Sequence, residues 1–130
     1  MSKKRIVFYI GNQQINGVLD DSTIAQKIYS SLPLEGSANL WGKEIYFYIE
    51  VKTPIEDGKD IVNLGDIAYW PEGPAICIFF GPTPISKEDE IRPYSKVGII
   101  GRIDDNSIKE LYNIKHSEKI IMKPITGGGA

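Results

Sequence analysis

The sequence predicts a mainly β domain, a closed antiparallel barrel with two short helices. Three observations carry this. Short β-branched and aromatic runs recur along the chain, separated by turns rich in Gly, Pro and Asn. Only two stretches place apolar residues at helical spacing. No repeat or linker divides the 130 residues, so the chain reads as one barrel domain over 1–125 and a flexible Gly-rich tail at 126–130.

Residues 5–10 are β-branched and aromatic, a buried strand, and Gly11-Asn12 breaks it. Residues 14–19 return as the second arm of a hairpin. Asp20, Asp21 and Ser22 then offer helix N-caps, side chains that accept a backbone N–H left unpaired by the first turn. Ile24, Ala25, Ile28 and Leu32 recur at helical spacing, which predicts a helix over 22–31, ended by Pro33, with its apolar stripe closing one end of the barrel. From Leu34 the period returns to two. Glu44, Tyr46 and Tyr48 alternate with Ile45, Phe47 and Ile49, giving one greasy face and one polar or phenolic face.

A polar loop covers 54–60, and Gly65-Asp66 leads into a strand over 67–70. Pro71-Glu72-Gly73-Pro74 makes a turn with one preset φ and one permissive residue. Residues 75–80 are continuously apolar, the pattern of a strand covered on both faces. The loop from Gly81 to about Val97 is long for a compact domain, and such loops are more often functional than idle. A strand over 97–103, a short helix over 107–112 for which Asp104 and Asp105 read as caps, and a last strand over 119–125 complete the chain. Ile108 and Leu111 are expected to face inward from that helix.

Composition excludes several function classes. With 42% hydrophobic and 25% charged residues the chain is an ordinary globular protein. At this length it buries roughly two-thirds of the surface its unfolded form exposes, so it needs no metal or disulfide to fold. A net charge of −2 with scattered lysines gives no surface for a phosphate backbone, and nucleic acid is not expected as a partner. Cys77 is the only cysteine and sits in an apolar run, where a buried thiol acts as a small hydrophobe. His116, the only histidine, lies in a polar loop and is a poor candidate for a catalytic pair. The start resembles no signal peptide and no apolar run approaches the ~20 residues of a membrane span, so a cytoplasmic protein with no membrane partner is expected. Gly81-Pro82-Thr83-Pro84 lacks the spacing and lysine of a phosphate loop, and Lys87-Glu88-Asp89-Glu90 reads as a solvated loop and not a metal site. No cofactor and no metal are expected.

Three groups of residues remain as site candidates. Tyr69, Trp70 and Pro71 end a strand, where the rings either rim a pocket or fill a barrel end. Glu44, Tyr46 and Tyr48 share a face and with Trp41 would form a concave surface of rings, hydroxyls and one carboxylate. The alternative is a solvated outer face, which three aromatics would make unusually sticky. Arg92 with Pro93 and Tyr94 closes the long loop; it either clamps an anionic ligand or pairs with Glu88, Asp89 or Glu90, and the pairing is favoured. Phe80, at the end of the apolar run, completes the expected cleft: Trp41, Glu44, Tyr46, Tyr69, Trp70 and Phe80, with Arg92 at its edge.

Three stretches taken in order resemble a cyclophilin. They are Gly65-Asp66-Ile67-Ala68-Tyr69-Trp70, then Ala75-Ile76-Cys77-Ile78-Phe79-Phe80 with its paired phenylalanines, then Val97-Gly98-Ile99-Ile100-Gly101-Arg102-Ile103 before a short helix. The N-terminal hairpin and helix fit the same plan. The wording around Phe79-Phe80-Gly81-Pro82-Thr83-Pro84 and Ile91-Arg92-Pro93 is similar to small prokaryotic cyclophilin-like proteins of unassigned function.

The resemblance implies a prolyl-isomerase scaffold, yet its reactive arginine has no counterpart. Cyclophilins carry a phenylalanine-histidine-arginine triplet after the first helix, and the arginine is thought to stabilise the twisted amide. Here that segment is Leu40-Trp41-Gly42-Lys43-Glu44-Ile45-Tyr46, and no arginine occurs between Arg5 and Arg92. No catalytic residue is therefore assigned. The expected function is binding of a small molecule or peptide segment in the aromatic cleft. Two alternatives stand beside it: a weak peptidyl-prolyl isomerase using Lys43 or Arg92, and a regulatory or accessory subunit of a larger enzyme. The long loop or an exposed barrel edge would serve a homodimer or such a partner enzyme.

Overall fold

The computed structural model describes residues 4–125; the tail expected at 126–130 lies outside the described residues. Nine strands form one sheet in which every pairing is antiparallel: β1 Lys4–Ile10, β2 Gln13–Leu19, β3 Leu34–Ser37, β4 Asn39–Trp41, β5 Glu44–Tyr48, β6 Asp66–Trp70, β7 Ala75–Phe79, β8 Gly98–Ile103 and β9 Lys119–Pro124. Their lateral order is β3-β9-β1-β2-β8-β6-β7-β5-β4. The two ends of that order, β3 and β4, are successive along the chain and separated only by Ala38. One stretch of chain, 34–41, thus pairs with β9 through its first half and with β5 through its second. Ala38 bridges the change: its N–H donates to Glu118 O at 2.8 Å and its carbonyl accepts from Ser117 N at 2.8 Å. The barrel closes through this seam.

The helix α1, Thr23–Ser30, falls where the periodicity predicts it. Of the three cap candidates, Ser22 is the N-cap: its hydroxyl accepts from Ala25 N at 3.2 Å, while Asp20 accepts from Ser22 N at 3.0 Å. Ala25 and Ile28 are fully buried and plug the barrel interior beside Ile6, Phe8, Ile10, Ile15, Leu19, Phe47 and Met122. Each such aliphatic or aromatic side chain contributes about 1.5–3 kcal/mol on burial.

The second helical segment is a 3-10 helix, Asp105–Asn113, with Leu111 buried and Ile108 packed on the core as expected. The capping role expected of Asp104 and Asp105 is not what they do. Asp104 makes no cap bond and instead receives both arms of the Arg5 guanidinium, at 2.6 and 3.0 Å; Asp105 lies inside the helix and pairs with Arg102 at 2.9 Å. A guanidinium fork on a carboxylate outcompetes a single backbone N–H for the same oxygens.

A second apolar cluster lies on the outside of the sheet. Ala68, Cys77 and Phe79 project outward from β6 and β7 and are covered by Val62, Ile91 and Val97 from the loops. This is why β7 is buried at every residue and reads as an unbroken apolar run. The covering loop is tied down by isolated bridges, Lys59 to Val97 and Val62 to Ile91. Ser86 Oγ accepts from both Thr83 N (2.9 Å) and Arg92 N (3.0 Å), knotting the loop on itself. No helix is long and apolar enough to cross a membrane among the described residues.

Candidate functional site

On this outer face, between the β4–β5 hairpin, Trp70 and the covering loop, a cavity of about 230 Å³ opens. Its lining is Trp41, Glu44, Tyr46, Trp70, Cys77, Pro93, Tyr94 and Val97. Strand parity places the floor. Glu44 and Tyr46 share the outward face of β5, and Tyr46 pairs with Cys77 of β7, while Ile45 and Phe47 point into the barrel. Trp41 stands opposite Glu44 across the β4–β5 hairpin. The hairpin turns at Gly42, whose φ is +60° and where a Cβ would lie 2.9 Å from Pro82 O. The hairpin thereby abuts the start of the long loop, and Lys43 N donates to Pro82 O at 2.9 Å.

The walls are aromatic. Tyr94 stands between the two tryptophans, 6.0 Å from Trp41 and 6.0 Å from Trp70, both nearly perpendicular; Tyr46 lies 6.4 Å from Trp70 in the same edge-to-face manner. The Trp70 indole N–H donates to Ser95 Oγ at 2.7 Å, which fixes the ring to the loop bearing Tyr94. Glu44 is 5% exposed. Its carboxyl is pushed from 4.5 up to about 7, chiefly because burial disfavours the charged form; a hydrogen bond with the Cys77 thiol acts the other way. Burial likewise pushes up the Tyr46 phenol and, far more, the Cys77 thiol.

Of the expected cleft residues, the structure gathers Trp41, Glu44, Tyr46 and Trp70 around this one cavity. Three others lie elsewhere. Tyr69 follows the opposite parity from Trp70 and enters the barrel, 1% exposed, its hydroxyl donating to Val51 O (2.8 Å) and accepting from Thr53 N (3.1 Å). Phe80 also turns inward, packs edge-on against Tyr112 at 5.1 Å and joins the barrel core. Arg92 is held by Glu90 through two bonds of 2.7 and 3.2 Å, the internal pairing the sequence favoured, and does not line the cavity. Lys43 sets its ammonium 5.2 Å from the Tyr112 ring and is not a lining residue either. The cavity thus has neither of the cations proposed as a substitute for an isomerase arginine. Among the residues the sequence did not assign to the cleft, Cys77 follows from its position opposite Tyr46. The sequence marks Pro93 and Tyr94 only as companions of Arg92, and Val97 only as the end of the long loop.

None of the proteins of curated function matches this chain. Among solved structures, a hypothetical protein of Archaeoglobus fulgidus, determined in solution, is 38% identical, with 95% of each chain covered and a TM-score of 0.80. The model of the family described as cyclophilin-like matches residues 4–123. That match spans nearly all of the described barrel, and the chain belongs to the cyclophilin-like family.

Proposed function

We propose that this protein is a binding module that takes a small molecule or a single peptide side chain into the cavity on the outer face of its barrel. The observation that carries the reading is the convergence of four aromatic rings from separate segments, β4, β5, β6 and the 81–97 loop, around one opening. Rings left partly uncovered cost hydration, and a ligand that fills the space recovers it at about 25 cal/mol per Å² of apolar surface covered.

A thermal-shift screen of small molecules against wild type and Trp70→Ala tests the reading. Compounds that raise the wild-type melting temperature are expected to lose most of that effect in the variant. Equal responses from both proteins would remove this cavity as the site.

A further inference from the structure

The wall and floor of the cavity have unlike chemistry, and together they select a ligand class. The lining holds one carboxyl, Glu44, and no lysine, arginine or histidine. The three cations adjacent in sequence to lining residues are committed elsewhere, Lys43 over Tyr112, Arg92 to Glu90 and Lys96 to Asp60. Among the described residues Glu44 has no ion-pair partner, although it is buried. A buried carboxylate without a partner is strongly disfavoured, and a cation entering the cavity removes that penalty. The four rings meet at 72–82°, so they surround a volume from several sides instead of stacking upon one another. Aromatic faces attract a cation through the ring quadrupole, most strongly for tryptophan.

We propose that the cavity binds an organic ammonium ion, with its charged head among Trp41, Trp70, Tyr46 and Tyr94 and its charge answered by Glu44. This rests on the cavity being a binding site, as argued above. At about 230 Å³ the space lies below the ~300–1,000 Å³ of ordinary ligand pockets. It suits a methylated or primary ammonium on a short stem, free or carried on a side chain. An anion would meet the carboxyl head-on, and a neutral apolar molecule would leave it unpaired.

The chain has two tryptophans, and both line the cavity, so intrinsic fluorescence reports on this site directly. The experiment titrates the full chain at pH 8 with choline, with its uncharged isostere 3,3-dimethyl-1-butanol, and with a short peptide containing trimethyllysine. Choline or the peptide is expected to bind at least roughly tenfold more tightly than the alcohol, with that preference abolished in Glu44→Gln. Which of the two charged probes binds more tightly assigns a free ammonium or a side chain as the source. Equal binding of charged and uncharged probes overturns the ammonium assignment. So does silence from all three while another compound from the thermal-shift screen acts through Trp70, and in both cases the binding-module reading stands. If no compound of any charge perturbs either tryptophan, both readings fall. Melting of Glu44→Gln at or above the wild-type temperature shows that a lost preference does not come from a lost fold.

Discussion

Glu44→Gln is expected to make the protein more stable above neutral pH and to leave it nearly unchanged in mild acid. Unfolded, the carboxyl titrates at its ordinary 4.5; folded, burial lifts it to about 7. Between those values the folded chain keeps a proton that the unfolded chain gives up. Stability contributed by the protonated carboxyl is therefore complete below 4.5, falls as pH rises through 7, and is gone above it. The lift corresponds to about 3 kcal/mol, at 1.36 kcal/mol for each pH unit. Glutamine fits the same space with no charge to desolvate, so its stability lacks this slope. Urea unfolding followed by far-UV circular dichroism, at pH 5 and pH 8, reads the difference. At pH 8 the variant should exceed wild type by about 3 kcal/mol, or roughly 10 °C in melting temperature, and at pH 5 by much less. Asp66, whose carboxyl is also raised by burial, is present in both proteins and drops out of the comparison. A gap of equal size at the two pH values would refute the claim that burial of an uncompensated carboxyl sets this titration. A less stable variant at pH 8 would refute it outright. Stability given up at a cavity wall is a common signature of a residue retained for what it binds.

The remaining predictions separate the cavity from its surroundings. Tyr69→Phe removes the two hydrogen bonds to Val51 and Thr53 and is expected to cost about 1–2 kcal/mol in urea unfolding, with ligand responses of the cavity unchanged. Gly42→Ala forces a side chain into a left-handed turn pressed against Pro82 and Thr83; it should destabilise the fold by more than about 1 kcal/mol and shift the Trp41 fluorescence, whereas a wild-type melting curve would mean the hairpin and loop are not in contact.

The barrel was legible because its strands are short, alternating and separated by strong breakers. Residues 44–49 alone fix a floor of the cavity, since period two sends Ile45, Phe47 and Ile49 inward and Glu44 and Tyr46 outward. The same parity rules out treating Tyr69 and Trp70 as one site, because neighbours on a strand point to opposite faces. Phe80 follows Phe79 in the same way, one ring outward into the loop-covered cluster and the next into the barrel. What the sequence conceals is pairing at a distance. Nothing local announces that 34–41 changes partners at Ala38, or that Asp104 answers Arg5 from 99 positions away instead of capping its own helix. Tyr94 was named only as a companion of Arg92. Its place between two tryptophans depends on where a long loop lands, and composition does not encode that.

The seam at 34–41 carries a consequence for synthesis of the chain. The neighbour of β3 is β9, and the neighbour of β9 on its other side is β1, so the earliest strand and the seam both wait for one of the latest. Until residue 124 has left the ribosome, β1 and β3 each present unpaired backbone N–H and C=O groups, a template for pairing with another nascent chain. Such late, long-range closure slows folding and lengthens that exposure. The cavity would share the delay, because Trp41 sits at the far end of the same seam, and ligand-competent protein should appear only after β9 has docked.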